Sequence, residues 1–399
     1  MRVLLITDWM SGAGGAEWYM SWVREGLRAA GDEVKLLTSS AGSAGDGSAE
    51  YRAYGTDSLA ARALLQIVNP FAVANVRSAL RHFRPDVVLV NMFEHHLSPA
   101  ILTLLRDVRS VLTVTDYKCI CPVGSKLLPD GSLCTKPAGA ICRRYGCVSL
   151  PHWLRDQPRY ALIRTGLRWF DRVLACSRWV QRELEQNGIS SEHLPLPVPL
   201  PRLEFRRAPA PYPLFVYCGR LDREKGVILL LRAFARLRTI APMSHLRIVG
   251  RGPQQLMLEQ LVDVLNLREA VTFRGWVAPG DVELELVDAW ALVAPSLWAE
   301  PLGLVALEAI VRGVPVIASS SGGFGETVEH GTSGLLFRNG DEDGLIEQLE
   351  AVASRRAFPV HALADTVVQR VRQSHSVHDY VSQLRQIFTE IAPPPAGQV

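Results

Sequence analysis

Short apolar runs separated by longer segments of helical period recur along most of the chain. In the first half the runs are Val3–Thr7, Glu33–Thr38, Asp86–Asn91, Ser110–Thr115 and Arg172–Cys176, all rich in Val and Leu. Apolar runs of this length, with little polar alternation, mark strands covered on both faces. A turn at Ser11–Gly15 leads from the first run into an amphipathic segment that continues through Ala30. Strands alternating with helices predict an α/β fold with a mostly parallel sheet. The alternation stops at Leu194–Pro213, a proline-rich stretch. Proline lacks the N–H that helix and sheet ladders both use, so neither element accommodates it. The pattern resumes with Leu214–Gly219, a helix from Gly226, His245–Gly250, a helix from Pro253, Ala270–Arg274, Ala289–Pro295, a helix after Glu300, Val314–Ala318 and Gly334–Phe337. Two doubly wound units are therefore expected, at residues 1–195 and 214–375, joined by a linker at 196–213. The amphipathic stretch 376–391 is expected to return to the first unit. Ser39–Ser58, heavy in Gly, Ser and Ala, reads as a mobile loop over the site, and the tail from Pro393 as frayed.

Composition narrows the class. With 399 residues, 48% hydrophobic and 21% charged, the chain suits a soluble protein of two or three domains. A net charge of +3, without a basic stripe interleaved with aromatics, argues against a nucleic-acid partner. The apolar run before Asp8 is too short for a secretory signal or a membrane span, so a cytoplasmic location is expected. Seven cysteines, an odd number without such a signal, fit reduced thiols better than a disulfide framework. Oligomeric state is not legible in the sequence.

Open α/β sheets bind ligands beyond the carboxyl ends of their strands, and the polar and glycine residues of this chain gather at such ends. Glu300 and Glu308 lie in PSLWAEPLGLVALEAI. Pro301 suits the first position of a helix, which leaves the amides of Gly303, Leu304 and Val305 as unpaired donors for an anion. Eight residues of helical rise separate the two carboxylates by roughly 12 Å along the axis, about the reach of a nucleotide sugar. A solvated amphipathic helix explains a lone glutamate pair equally simply. GRLDREKG places Arg220 and Lys225 on a strand-to-helix turn where two cations can grip a diphosphate; a charged surface turn is the plain alternative. VGRGP at Val249–Pro253, containing Gly250, lets a ligand approach the backbone, and FRGW at Phe273–Trp276 follows the next strand. SSSGGFGE is a further glycine-rich strand exit, and HGTSGLLF at His330–Phe337 reads as a turn before a closing strand. Gly12, Gly14 and Gly15 follow the first strand without completing a dinucleotide fingerprint. They suit either a loop beneath a diphosphate, with Glu17 near an acceptor, or a plain tight turn.

Taken in order, GGAE at Gly14–Glu17, GRLDREKG, VGRGP, FRGW, the spaced Glu300 and Glu308, GVPVIA at Gly313–Ala318, GGFGE and HGTSGLLF resemble the retaining family-four glycosyltransferases of the GT-B fold. The likeness is strongest from Gly219 to Phe337. It implies two Rossmann-like domains facing a cleft, with the donor nucleotide on the second. Carried over, Arg220 and Lys225 hold the diphosphate, Glu308 the ribose hydroxyls and Glu300 the donor sugar. Gly303, Leu304 and Val305 offer amides to phosphate or sugar, and the Arg274 backbone meets the base. The resemblance also implies front-face displacement without a divalent metal, the leaving phosphate helping to deprotonate the acceptor. The co-substrate is then a nucleoside-diphosphate sugar, UDP before GDP. The acceptor is a hydroxyl of a glycan, a lipid-linked molecule or a small natural product. One position departs. VLTVTDYKCICP is similar to the family's strand ending in His-Asp-Tyr, but Thr115 stands before Asp116 where the histidine is usual. The Thr115 hydroxyl offers one hydrogen bond, and His95 or His96 in NMFEHHLSP either substitutes or faces solvent.

Two features stand apart. Cys121, Cys134, Cys142 and Cys147, with Cys119 nearby, fit a structural zinc site ordering a glycine-rich loop, or else free thiols or a disulfide. Arg155, Arg159, Arg164, Arg168 and Arg172 recur every four or five residues, as on a helix lying at the inner face of an anionic membrane, or on one with its arginines in water. The rival activities are a sugar-nucleotide epimerase of similar architecture and a non-catalytic nucleotide-sugar-binding protein.

Overall fold

The structure, a computed structural model, describes residues 1–9, 15–41, 49–201 and 207–391. It divides into two units. The first comprises residues 1–124 and 135–197 with the helix Val377–Ile391; the second comprises 125–134 and 198–376. Gly12 and Gly14 lie outside the described residues, as does the tail from Pro393, and of Glu17 only the backbone is described.

In the first unit, β1 (Arg2–Ile6), β2 (Glu33–Ser39), β3 (Tyr51–Ala53), β4 (Val87–Val90), β5 (Ser110–Val114), β6 (Arg172–Ala175) and β7 (Glu192–His193) form one sheet. Its order is β3-β2-β1-β4-β5-β6-β7, and every pair is parallel. Strands β4 and β5 are buried throughout, as their unbroken apolar runs require. The stretch read as a mobile loop holds the edge strand β3, while residues 42–48 lie outside the described residues. Glu50 anchors that strand: its carboxylate accepts from Arg24 Nη2 at 2.8 Å, Arg28 Nη2 at 2.9 Å and the Leu36 amide at 2.8 Å.

The helix Val377–Ile391 packs on the helix Gly15–Ala29 through its own apolar stripe, Tyr380, Leu384 and Phe388, all buried. The Tyr19 and Tyr380 hydroxyls share a hydrogen bond of 2.7 Å, and Arg385 pairs with buried Asp32 at 2.9 Å. Gly26 gives the facing helix a smooth surface, since a Cβ there would lie 2.7 Å from Val381 Cγ2.

In the second unit, β8 (Leu214–Cys218), β9 (His245–Val249), β10 (Val271–Gly275), β11 (Ala291–Ala294), β12 (Val316–Ser319) and β13 (Gly334–Phe337) run in the order β10-β9-β8-β11-β12-β13, again all parallel. One face packs Phe215, Phe234 and Leu349, the other Leu292, Ile310 and Val316. The proline-rich segment is no free tether. The Ala208 and Ala210 amides donate to Val287 O and Asp288 O at 2.9 Å, and Ala210 O accepts from Trp290 Nε1 at 2.8 Å. Prolines suit this path because only alternate residues need donors.

Phe388→Ala is expected to destabilise the protein by about 3–5 kcal/mol, the usual cost of emptying a buried aromatic site. Urea denaturation with amide exchange should show the loss reaching the helix Gly15–Ala29. Unaltered stability would mean that the terminal helix is no part of the first unit's core.

Candidate functional site

The winding of the second sheet reverses between β8 and β11, so the loops leaving these neighbouring strands part at a switch point, the usual ligand crevice of such sheets. The two loops touch there, backbone to backbone. Gly226 has φ 71°, and a Cβ on it would lie 2.0 Å from Pro295 O; the Leu297 amide donates to Glu224 O at 2.7 Å. This contact sets Lys225 against Glu300, with Nζ 2.6 Å from Oε1, and Ser296 Oγ donates to the same oxygen at 2.6 Å. Glu300 is 6% exposed. Burial works to raise its pKa, but the attraction of Lys225 and the hydrogen bonds from Lys225 and Ser296 prevail and hold it below the ordinary carboxylate value. It is an anion at neutral pH. Arg220 pairs with Asp222 at 2.7 Å, its side chain 60% exposed. An ion pair so open to water is worth little, so the guanidinium can turn to another anion at small cost.

The glutamate helix differs from expectation. It spans Leu304–Ile310, because Gly303 adopts the left-handed conformation at φ 84° and packs so close to Phe324 that a Cβ would lie 2.3 Å from its ring. Glu300 therefore precedes the helix, bridged in parallel to Gly322, and the axial-rise estimate of its separation from Glu308 does not apply. Ala306 N to Gly303 O at 2.9 Å closes the first turn. The Leu304 and Val305 amides come before any intrahelical bond. Glu308 is partly buried, and burial raises its pKa against the opposing charge of Arg312. At Gly250 the close approach is made by protein backbone, since a Cβ there would lie 1.9 Å from Gly219 O. Arg274 lies at a register shift near the end of β10, and its side chain pairs with Glu285 at 3.1 Å.

The first unit has its own switch point, between β1 and β4. Asp8, just past β1, accepts the amides of His95 at 2.7 Å and of His96 and Leu97 at 2.8 Å, which fixes the loop after β4. Trp9 stacks on His95 at 5.2 Å and meets His96 edge-on at 5.1 Å. Of the two readings open for these histidines, the solvent-facing one fails for buried His96, while His95 is partly exposed. His96 is 4% exposed, and burial lowers both pKa values, that of His95 to about 4 with Lys118 reinforcing. Thr115 Oγ1 accepts from Asn91 Nδ2 at 3.0 Å, leaving its own proton to donate. Asp116 pairs with Lys118 at 3.1 Å. Glu94 is buried beside them; burial, with the charge of Asp116 adding and Lys118 opposing, pushes its pKa up to about 8. Asp8, Glu94 and Lys118 were not singled out from sequence. The available signal was an acidic residue soon after three of the apolar strands, Asp8 after β1, Glu94 after β4 and Asp116 after β5.

Two other readings change. The five arginines do not form one face, because the segment folds as Leu150–Arg155, Gln157–Gly166 and a short 3-10 turn at Leu167–Trp169. Arg159 turns inward to donate to Glu94 O at 3.1 Å, while Arg155 pairs with Asp156 and Arg172 with Glu192. Only Arg164 and Arg168 of the five are exposed and without such partners among the described residues. No described helix is long and apolar enough to cross a membrane. Cys121, Cys134, Cys142 and Cys147 are in no disulfide, and among the described residues no three His, Cys, Asp or Glu side chains gather as metal ligands. Cys134 follows a turn closed by its amide on Lys126 O, whereas Cys142 and Cys147 flank one helix end. Among the described residues these thiols are not gathered as a zinc site.

Comparison with known proteins bears on both units. Residues 14–200 match the model of a glycosyl transferase 4-like domain and residues 203–363 that of glycosyl transferases group 1. Glycogen synthase of Mycobacterium tuberculosis is 33% identical over 210 residues, 48% of this chain and 49% of that protein. The GDP-mannose-dependent alpha-(1-6)-phosphatidylinositol monomannoside mannosyltransferase of Mycolicibacterium smegmatis is 34% identical over 164 residues, 40% of this chain and 42% of that one. The chain spans about half the length of the curated relatives it matches. Among solved structures, sucrose-phosphate synthase from Thermosynechococcus elongatus superposes with a TM-score of 0.74 at 24% identity, covering 98% of this chain and 99% of that one. Anabaena HepE in complex with UDP-glucose gives 0.71 at 18% identity, covering 98% and 100%. These two share the fold.

Glu94 supplies a pH test. Its folded pKa lies above the ordinary carboxylate value, so the folded state binds the proton more tightly, and stability falls as pH rises from 4.5 to about 8. Glu94→Gln should remove that slope, its stability advantage over wild type growing across the window in urea melts. A difference that stays constant with pH would contradict the assignment.

Proposed function

The chain belongs to the family-four glycosyltransferases of the GT-B fold, and we propose that it moves a sugar from a nucleoside-diphosphate donor to an acceptor hydroxyl with retention of anomeric configuration. The observation that carries this reading is the buried Lys225–Glu300 pair at the switch point of the second sheet. A carboxylate kept ionised out of water by a cation is suited to accept hydrogen bonds from donor-sugar hydroxyls. Lys225, together with Arg220 turned from Asp222, answers the charge that grows on the departing diphosphate. The amides at Gly303, Leu304 and Val305 add donors to phosphate or sugar. Glu308 takes the ribose hydroxyls, the Arg274 backbone lies at the base, and Gly250 shapes the donor loop. In the first unit, Thr115, Asp116 and His96 serve the sugar or acceptor side, whereas Gly14 and the Glu17 side chain lie outside the described residues.

In this reading the bond from the anomeric carbon to the diphosphate breaks as the acceptor oxygen bonds to the same face of the sugar, and the acceptor proton passes to a leaving phosphate oxygen. Positioning and charge supply most of the rate, with two cations in place of a divalent metal. UDP is preferred over GDP as the donor base. Support comes from HepE, solved with UDP and with UDP-glucose, against mannosyltransferase relatives that are GDP-mannose-dependent.

Glu300→Gln should lower kcat/KM by about a hundredfold or more while the melting rise given by UDP persists. Near-normal turnover would refute the assigned role. Lys225→Ala leaves Glu300 buried without its counter-ion, so it should lose turnover and also about 3–5 kcal/mol of stability. Consumption of donor without acceptor, yielding an isomerised sugar nucleotide, would favour the epimerase instead.

A further inference from the structure

Within the first unit lies a cavity of about 860 Å³ that the donor chemistry does not use. That volume suits a drug-sized ligand. Part of its lining is apolar and aromatic, with Tyr160, Ile163, Leu167 and Phe170 all buried or partly so. The cations of the lining differ in their commitments. Arg172 is paired with Glu192 at 3.0 Å and Lys118 with Asp116 at 3.1 Å. Arg164 and Arg168, a turn apart and exposed, have no ion pair among the described residues. The lining acid Asp171 is likewise taken, by Arg109 at 3.2 Å. What remains unanswered in the lining is positive charge beside an apolar wall. The lining also includes Lys118, which pairs with Asp116 beside Glu94, beyond the ends of β4 and β5.

We infer that this cavity binds an amphipathic anion. Its apolar or aromatic body lies against Tyr160, Ile163 and Phe170, and its carboxylate or phosphate is held by Arg164 and Arg168. Resting on the transferase reading above, this molecule is the acceptor, with its hydroxyl toward Lys118. A lipid phosphate and a free aromatic acid share this chemistry. Arginine holds both anions through paired donors, and a buried aromatic wall holds either body.

Calorimetric titration of the full chain tests the inference with decyl phosphate below its micelle concentration, 6-hydroxy-2-naphthoate, and neutral 2,6-dihydroxynaphthalene. At least one of the anions should bind at a single site, and the neutral diol more weakly. Charge reversal by Arg164→Glu with Arg168→Glu, both at exposed positions, should weaken anion binding by about tenfold or more. Gly139→Phe should abolish it, because Gly139 lines the exposed mouth with extended backbone and a Cβ there meets nothing within 4 Å, so the ring fits sterically yet obstructs the cavity. In both variants the melting rise given by UDP should persist. Preference for decyl phosphate assigns the lipid source and preference for the naphthoate the free acid. Unchanged binding in Gly139→Phe, equal binding of the neutral diol, or no binding of either anion overturns the proposal. Anion binding without any response to UDP would instead overturn the donor reading and leave the cavity standing.

Discussion

A carboxylate withdrawn from water is tolerated only when its charge is answered, and Glu300 is answered by Lys225 at 2.6 Å. Seventy-five positions separate the two residues in sequence, and no element of regular structure joins them. Their meeting depends on the loop after β8 touching the loop after β11, which only a residue without a Cβ permits at Gly226. The parallel order of the sheet makes those two strands neighbours, so fold, glycine and ion pair form a single dependency.

The two units repeat one architecture and use it for opposite electrostatic ends. Each brings acidic residues to the switch point of a parallel sheet. In the second unit a cation and the Ser296 hydroxyl hold Glu300 below the ordinary carboxylate value, whereas in the first burial prevails and Glu94 holds its proton far above the usual range. Three backbone amides occupy the Asp8 carboxylate, whose work is to set the loop that carries the two histidines. A charge-holding site and a proton-holding site thus arise from the same strand geometry through different neighbours.

The strands were legible almost to the residue, because apolar runs buried on both faces leave little doubt about their period. Tyr51–Ala53 and Glu192–His193 were not, being short, polar edge pieces held by tertiary contacts alone. Pro301 suggested a helix start from local preference, and the packing of Gly303 on Phe324 overrode it. Lys225 and Glu300 were found through motif order, since no periodicity links them. The histidines after β4 looked solvent-facing because a loop shows nothing of the Trp9 ring that covers it. Arg159 was lost in an apparent stripe that breaks between the helix Leu150–Arg155 and the helix Gln157–Gly166, and the cysteine spacing carried no record of where each thiol comes to rest.

The most direct measurement is a crystal structure of this protein with a hydrolysis-resistant UDP-sugar. The account predicts the Glu300 carboxylate on the sugar hydroxyls, Lys225 on the diphosphate, and the pyrophosphate lying before the Leu304 and Val305 amides. A donor bound elsewhere, with the Lys225–Glu300 pair untouched by ligand, would contradict it.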